Sequence, residues 1–200
     1  FVATFIYLRY AESVYVSKAQ IEIIDKSQDS EMTLPTSMTI FNRSMINLEN
    51  EIGVLNSFKL HLRTVNKINA NIKFFSKGKI KTTEDHYTDF YNNFELDFLI
   101  NTQNLNSSIR FDIYLNNNDL IIDQISAENE IINSYSFKEN TTKNKQNDLP
   151  FELSYKNVFS DKKIIIIQKP EDTATMYKNL FECIVAGSQR DQLSLSFSYP

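Results

Sequence analysis

The chain has 200 residues, of which 42% are apolar and 23% charged, with a formal net charge of -4. That length allows a buried core in one large domain or two small lobes, and the charge offers no basic face to nucleic acid. Gly53, Gly78 and Gly187 are the three glycines, too few and too scattered for a G-x-x-x-x-G-K-[ST] or G-x-G-x-x-G phosphate cradle.

The first ten residues, FVATFIYLRY, are apolar up to Leu8. A helix of that length covers about 12 Å of a hydrocarbon layer about 30 Å thick. It reads equally as the last turns of a membrane-spanning helix, with Tyr7, Arg9 and Tyr10 at the interface, or as a buried first strand. Residues 15–24 alternate, with Tyr15, Ser17, Ala19, Ile21 and Ile23 on one face and Val16, Lys18, Gln20 and Glu22 on the other, the pattern of a half-buried strand. Residues 25–37 are polar, contain Pro35 and read as a loop.

Helical spacing begins at Met45. Met45, Leu48, Ile52 and Leu55 make one stripe, and Phe58, Leu62, Val65 and Ile72 a second, with Ile68 beside it. Ser57 lies between the stripes as an N-cap, so two short helices are expected. A short apolar run over 71–75 ends in a Ser76–Lys79 turn. His86, Tyr87, Phe90, Tyr91 and Phe94 predict a short aromatic-faced helix. Strands are then expected over 94–100, 109–115, 120–125 and, more weakly, 131–137. Asn116–Asp119 turns the second of these into the third. Residues 139–148 contain no apolar side chain and read as a disordered loop tip. Strands follow at 149–155 and 163–168, then a helix opened by Pro170-Glu171-Asp172, a strand over 181–186, a turn over 187–191 and a strand carrying Leu193, Leu195 and Phe197.

This order predicts an α+β fold. A mixed α/β base, from 11–80 and 170–200, would carry a β-rich insertion over 81–169, with 1–10 as the end of a membrane helix. The strand at 15–24 should share a sheet with the terminal hairpin.

No constellation points to catalysis, a cofactor or a metal. His61 and His86 lack neighbouring cysteines and any H-E-x-x-H pattern. Cys183 has no partner for a disulfide and sits in an apolar run, so it is read as a small buried hydrophobe. The carboxylate pairs Glu95/Asp97 and Glu128/Glu130 read as solvated faces. Tyr87, Phe90, Tyr91 and Phe94 read as the core face of their helix rather than as a sugar-stacking platform.

Three stretches resemble the polysaccharide co-polymerases, the chain-length determinants of bacterial surface polysaccharides. The first is a Tyr-x-Ala/Ser-x-Ala-x-Ile strand, here Tyr15, Ser17, Ala19 and Ile21. The second is an Asn-Glu-Ile-x-hydrophobic-Leu-x-Ser helix, here Asn50–Ser57, followed by a helix with Leu62 and Val65. The third is a Ser-rich apolar strand, here Leu193–Phe197, ending in Tyr199-Pro200 where the family has Asp-Pro. The section 149–200 is most similar to the branch fused to a cytoplasmic tyrosine autokinase.

The resemblance implies a periplasmic domain held in the bacterial inner membrane that forms ring-shaped homo-oligomers. Such a ring would act with a polysaccharide polymerase and an outer-membrane export channel, and would contact glycan. The resemblance implies no enzyme chemistry in this region; kinase motifs would lie beyond it. Arg43, Glu51 and Lys59 flank the signature helix and are the expected oligomer contacts. The alternative is the extracytoplasmic sensor domain of a membrane signalling receptor. A secreted carbohydrate-active enzyme would need clustered carboxylates in a cleft.

Overall fold

A computed structural model describes Thr4 and residues 14–23, 48–78, 81–143, 148–186 and 192–199. The expected membrane-helix end at 1–10 (Thr4 apart), the loop over 25–37, the start of the first helix at 45–47, the tip at 144–147 and the turn at 187–191 lie outside the described residues. Among the described residues, no helix is long and apolar enough to cross a membrane.

In chain order the elements are β1 (Tyr15–Glu22), α1 (48–55), α2 (Phe58–Ile68), β2 (Ile72–Lys77), β3 (Thr82–Asp85), α3 (Tyr87–Asn93), β4 (Phe94–Phe98), β5 (Ile109–Asn116), β6 (Asp119–Ile125), β7 (Ile131–Phe137), β8 (Phe151–Tyr155), β9 (Lys162–Ile167), α4 (Pro170–Leu180), β10 (Phe181–Val185) and β11 (Gln192–Tyr199). The fold is α+β with a β-rich part. It divides into two compact units, Phe1–His61 with Ala174–Pro200, and Leu62–Thr173.

The first unit holds a three-stranded antiparallel sheet in the order β1-β11-β10. The expected sharing of a sheet by the first strand and the terminal hairpin is therefore present, with Tyr15 opposite Tyr199 and Ile21 opposite Leu193. β11 turns Leu193 and Leu195 inward, but the half-buried face expected of β1 is not found: of its eight residues only Ile21 is partly buried, the rest lying on an exposed edge strand. Leu193 is fully buried there with Leu48 and Cys183, and Ile21, Ile52, Leu55 and Phe181 pack around them. Burial raises the Cys183 thiol pKa, consistent with a packing role rather than a reactive one.

The joint between the helices is built as the sequence suggests. Ser57 Oγ accepts from the Leu60 N–H at 3.3 Å, which satisfies one donor of the first turn of α2. Asn69 follows α2 at φ 51°, and the Ala70 N–H bonds to the Val65 carbonyl at 3.0 Å. This left-handed residue with its six-to-one bond is a Schellman end, a position where Asn is tolerated after Gly. Val65 is buried, but Ile68 is exposed and takes no part in the helix's apolar face.

The second unit is a six-stranded sheet, β3-β2-β9-β5-β6-β7, and a two-stranded sheet, β4-β8, all pairings being antiparallel. Phe111, Ile113, Leu120, Ile122, Ile165 and Ile167 on one face of the large sheet share a core with Leu96, Phe151 and Leu153 of the small one. Beside them Phe74, Phe90 and Phe94 stack in a column, with centroids 4.1 and 4.6 Å apart. The aromatic spacing of α3 is thus a core pattern. Phe90 and Phe94 are buried, Tyr91 is half-buried and only Tyr87 is largely exposed.

Three further expectations need correction. The base was expected to run to residue 80, but β2 pairs with β3 and β9 and belongs to the second unit. Its apolar run has neighbours on both sides because its partner comes from β9, 85 residues or more further along, and local pattern cannot show that. The expected turn at Ser76 lies instead within β2, and β3 (TTED) carries no apolar signal at all. Part of the polar stretch 139–148 is built into the core rather than disordered. Thr142 is buried, its N–H bonds to the Leu153 carbonyl, and its Oγ1 accepts from the Leu153 N–H, both at 2.8 Å. A threonine can replace a ladder partner in this way, so polarity alone does not mark disorder.

Ile165 has no exposed surface and faces the shared core. Ile165→Ala should lower stability by about 2–5 kcal/mol, read as a fall in the urea midpoint at an unchanged m-value; a shift below about 0.5 kcal/mol would place Ile165 outside the core.

Candidate functional site

The face of the six-stranded sheet opposite the aromatic core carries an open cleft of about 660 Å³, within the range of small-molecule sites. The register dictates its lining. Cross-strand neighbours run Phe75, Ile164, Asp112, Asp123, Ser134 in one row and Lys73, Ile166, Arg110, Ile125, Ile131 in the next. Lys77, Thr82 and Lys162 close one end, and Asn129 reaches in from the β6–β7 turn. At Gln124 and Ile125 the register shifts, leaving Ile132 of β7 as an extra residue beside the cleft, the pattern of a bulge.

Two buried carboxylates lie in the floor, Asp112 and Asp123, directly opposite one another on β5 and β6. Like charges in this position repel, and each has its own compensation. Asp112 takes a two-pronged contact from Arg110, Nε to Oδ1 at 2.8 Å and Nη2 to Oδ2 at 3.2 Å, and a lysine contact from Lys162 Nζ at 2.8 Å. Arg110 Nη1 also donates to Asn129 Oδ1 at 3.1 Å. Lys162 stands 5.0 Å over the Tyr114 ring, a cation–π distance. Asp123 accepts from Ser134 Oγ at 2.6 Å. The Tyr114 hydroxyl has a raised pKa, first from burial and then from its hydrogen bond to Asp123.

A second polar cluster lies at the β2–β3–β9 edge. Ser76 Oγ donates to Asp85 at 2.7 Å, Lys163 Nζ contacts Asp85 Oδ2 at 3.1 Å, and Lys163 also bonds to Ser76 Oγ. A serine beside a lysine suggests a nucleophile and its base. Here the lysine is ion-paired to Asp85, and the three side chains join β2, β3 and β9. The cluster is a cross-strand tie.

Among the residues expected to matter, Arg43 lies outside the described residues. Glu51 on α1 and Lys59 in the first turn of α2 are both exposed. His86 caps α3, its Nδ1 facing the Thr88 N–H at 3.4 Å. Glu95 and Asp97 flank Lys143 at 3.3 and 3.5 Å on an exposed strand face. That lysine holds the Glu95 carboxyl below its ordinary range. Among the described residues, no three His, Cys, Asp or Glu side chains gather as metal ligands do.

His61 packs edge-on against Phe181 with centroids 5.3 Å apart. Burial lowers its pKa, outweighing the bond to the Leu55 backbone that raises it, and Lys178 lowers it further. The unfolded chain therefore takes up the proton first. Stability from this group is present above about pH 6.5 and is lost as pH falls through the lower folded value. His61→Gln should flatten the pH dependence of the urea midpoint between about pH 7 and pH 5; a parental slope that persists in the variant would assign the effect elsewhere.

Asp112 is the shared acceptor of Arg110 and Lys162, whose side chains are each about a third exposed. Asp112→Ala should cost about 2 kcal/mol, the scale of hydrogen bonds to a charged group, read by thermal melting. No loss on melting would mean that water replaces the carboxylate at no cost.

The chain matches no protein-family model and no curated protein sequence.

Proposed function

We propose that the chain is the periplasmic region of a polysaccharide co-polymerase of the bacterial inner membrane, which sets the length of a capsular or exopolysaccharide by assembly. One observation carries the reading. Three stretches far apart in sequence bear the resemblance, and β1, the Asn50–Ser57 helix and β11 fall in one unit, while Leu62 and Val65 of the following helix belong to the other. Tyr15–Ile21 of β1 pairs with Leu193–Tyr199 of β11, and Ile52 and Leu55 of the Asn50–Ser57 helix pack on the same cluster as Leu193. Shared motifs that also share a core are linked by a packing requirement rather than by composition.

Copies of the chain then form a ring, with Arg43, Glu51 and Lys59 at the subunit contact. The ring holds the polymerase, the export channel and the growing glycan together. The work is positional, and kinase chemistry, where it occurs, belongs to a domain outside these 200 residues.

The test uses the complete membrane protein in its own bacterium. Deletion of the gene should broaden the polymer-length distribution, and Glu51→Lys should lower the detergent-solubilised particle mass, since a like charge at a contact costs several kcal/mol. A monomeric wild-type protein, or a length distribution untouched by deletion, overturns the proposal.

A further inference from the structure

The charges of the sheet cleft are unevenly committed. Asp112 uses two nitrogens of the Arg110 fork and one contact of Lys162. A lysine ammonium has three donors, so Lys162 keeps donors beyond this contact. Lys77 is exposed at the end of the cleft. Three cations against two carboxylates leave the lining with one positive charge. The walls between them are apolar, from Phe75, Ile164, Ile166 and Ile131, the last 61% exposed. Asn129 and Thr82 add an amide and a hydroxyl at the rim.

A ligand that fits carries one negative charge, a flat apolar face for Phe75 and the isoleucines, and hydroxyls for the amide, the hydroxyl and the Asp123 carboxylate. A phosphate fits less well. The Arg110 fork that would grip it in two-pronged fashion is already spent on Asp112, and a dianion exceeds the charge available. We propose that this cleft binds the carboxylate-bearing ring of an acidic sugar, a uronate, with the carboxylate against Lys77 and Lys162 and the C–H face on Phe75. The sugar identity rests on the glycan-assembly reading; the single negative charge rests on the cleft alone.

The test titrates the 200-residue chain with methyl galacturonoside, which carries one carboxylate, its methyl ester and inorganic phosphate, followed by amide chemical shifts. Methyl galacturonoside should perturb β5, β6 and β9. The ester, of the same shape without charge, should bind at least about fivefold more weakly, the size of one exposed ion pair. Lys77→Gln should weaken methyl galacturonoside about fivefold with an unchanged melting temperature. Lys162→Gln should weaken it further, and if that variant fails to fold, Lys77→Gln still decides.

Equal binding of acid and ester, shifts confined to other elements, or phosphate binding as tightly as methyl galacturonoside each overturns the uronate site. The two proposals fail separately. A length-setting ring that ignores uronate removes the cleft proposal alone. Uronate binding by a protein that is monomeric and without effect on polymer length removes the assembly proposal alone.

Discussion

The register of β9 is the constraint on which the second unit depends. Its six residues, KKIIII, are sandwiched between β2 and β5, and each has a separate destination. Ile165 and Ile167 enter the aromatic core, Ile164 and Ile166 floor the cleft, Lys163 reaches Asp85, and Lys162 reaches Asp112. Successive side chains on a strand point to opposite faces, so a slip of one residue exchanges the faces wholesale. The isoleucines would survive such a slip, since either face accepts them. The lysines would not. Lys163 would leave Asp85 and Lys162 would leave Asp112, each taking a cation from a largely buried carboxylate. The two lysines at the head of an otherwise uniform apolar strand thus specify a register that hydrophobicity leaves degenerate.

That division explains what the sequence could and could not reveal. Period-two patterns identify β5 and β6, and period-3.6 patterns α2 and α3, because each sends its apolar set to a buried face; β1 shows the alternation too, although only Ile21 of its eight residues is partly buried. The same turn that identifies the β5–β6 hairpin also sets its pairing. Asn117 and Asn118, at φ 49° and 69°, suit the two-residue hairpin turn, and counting outward from them places Asp112 opposite Asp123. The buried acid pair was legible at that point, from Asp112 and Asp123 falling opposite one another between apolar neighbours on both strands. Its second cation was not legible, because Lys162 arrives from a strand 50 residues beyond Asp112. Likewise β3, four polar residues at an edge, gives no periodic signal, and Thr142 replaces a strand partner through one backbone and one side-chain bond to Leu153 that no polarity scale registers.

The first unit poses the opposite case. Its core is small, Leu48, Cys183 and Leu193 with a ring of partly buried neighbours, and a cluster of that size contributes modestly by burial. What ties the unit together is the eight-residue ladder between β1 and β11, a closure of the chain across most of its length. Such long-range pairing carries a loop-closure cost that rises only slowly with the length enclosed. An insertion of the size of the second unit is therefore tolerated between the two strands, which is how a short base can carry a larger β-rich part.

The cleft charges do not follow from stability. Replacing a buried ion pair by apolar side chains of similar volume is often neutral or stabilising, and this sheet face already carries isoleucines at Ile164, Ile166 and Ile125 that would extend naturally over it. An apolar Asp112–Asp123 row would also remove the repulsion between two facing carboxylates. A sheet face made wholly apolar and left open to solvent, however, would be an aggregation surface. The charges as arranged keep the face soluble while leaving an apolar floor with directed donors at its rim. That combination, an unfavourable acid pair held by an arginine and a lysine that still has donors to offer, is the physical reason to regard this face as a binding surface rather than as an uncovered side of the core.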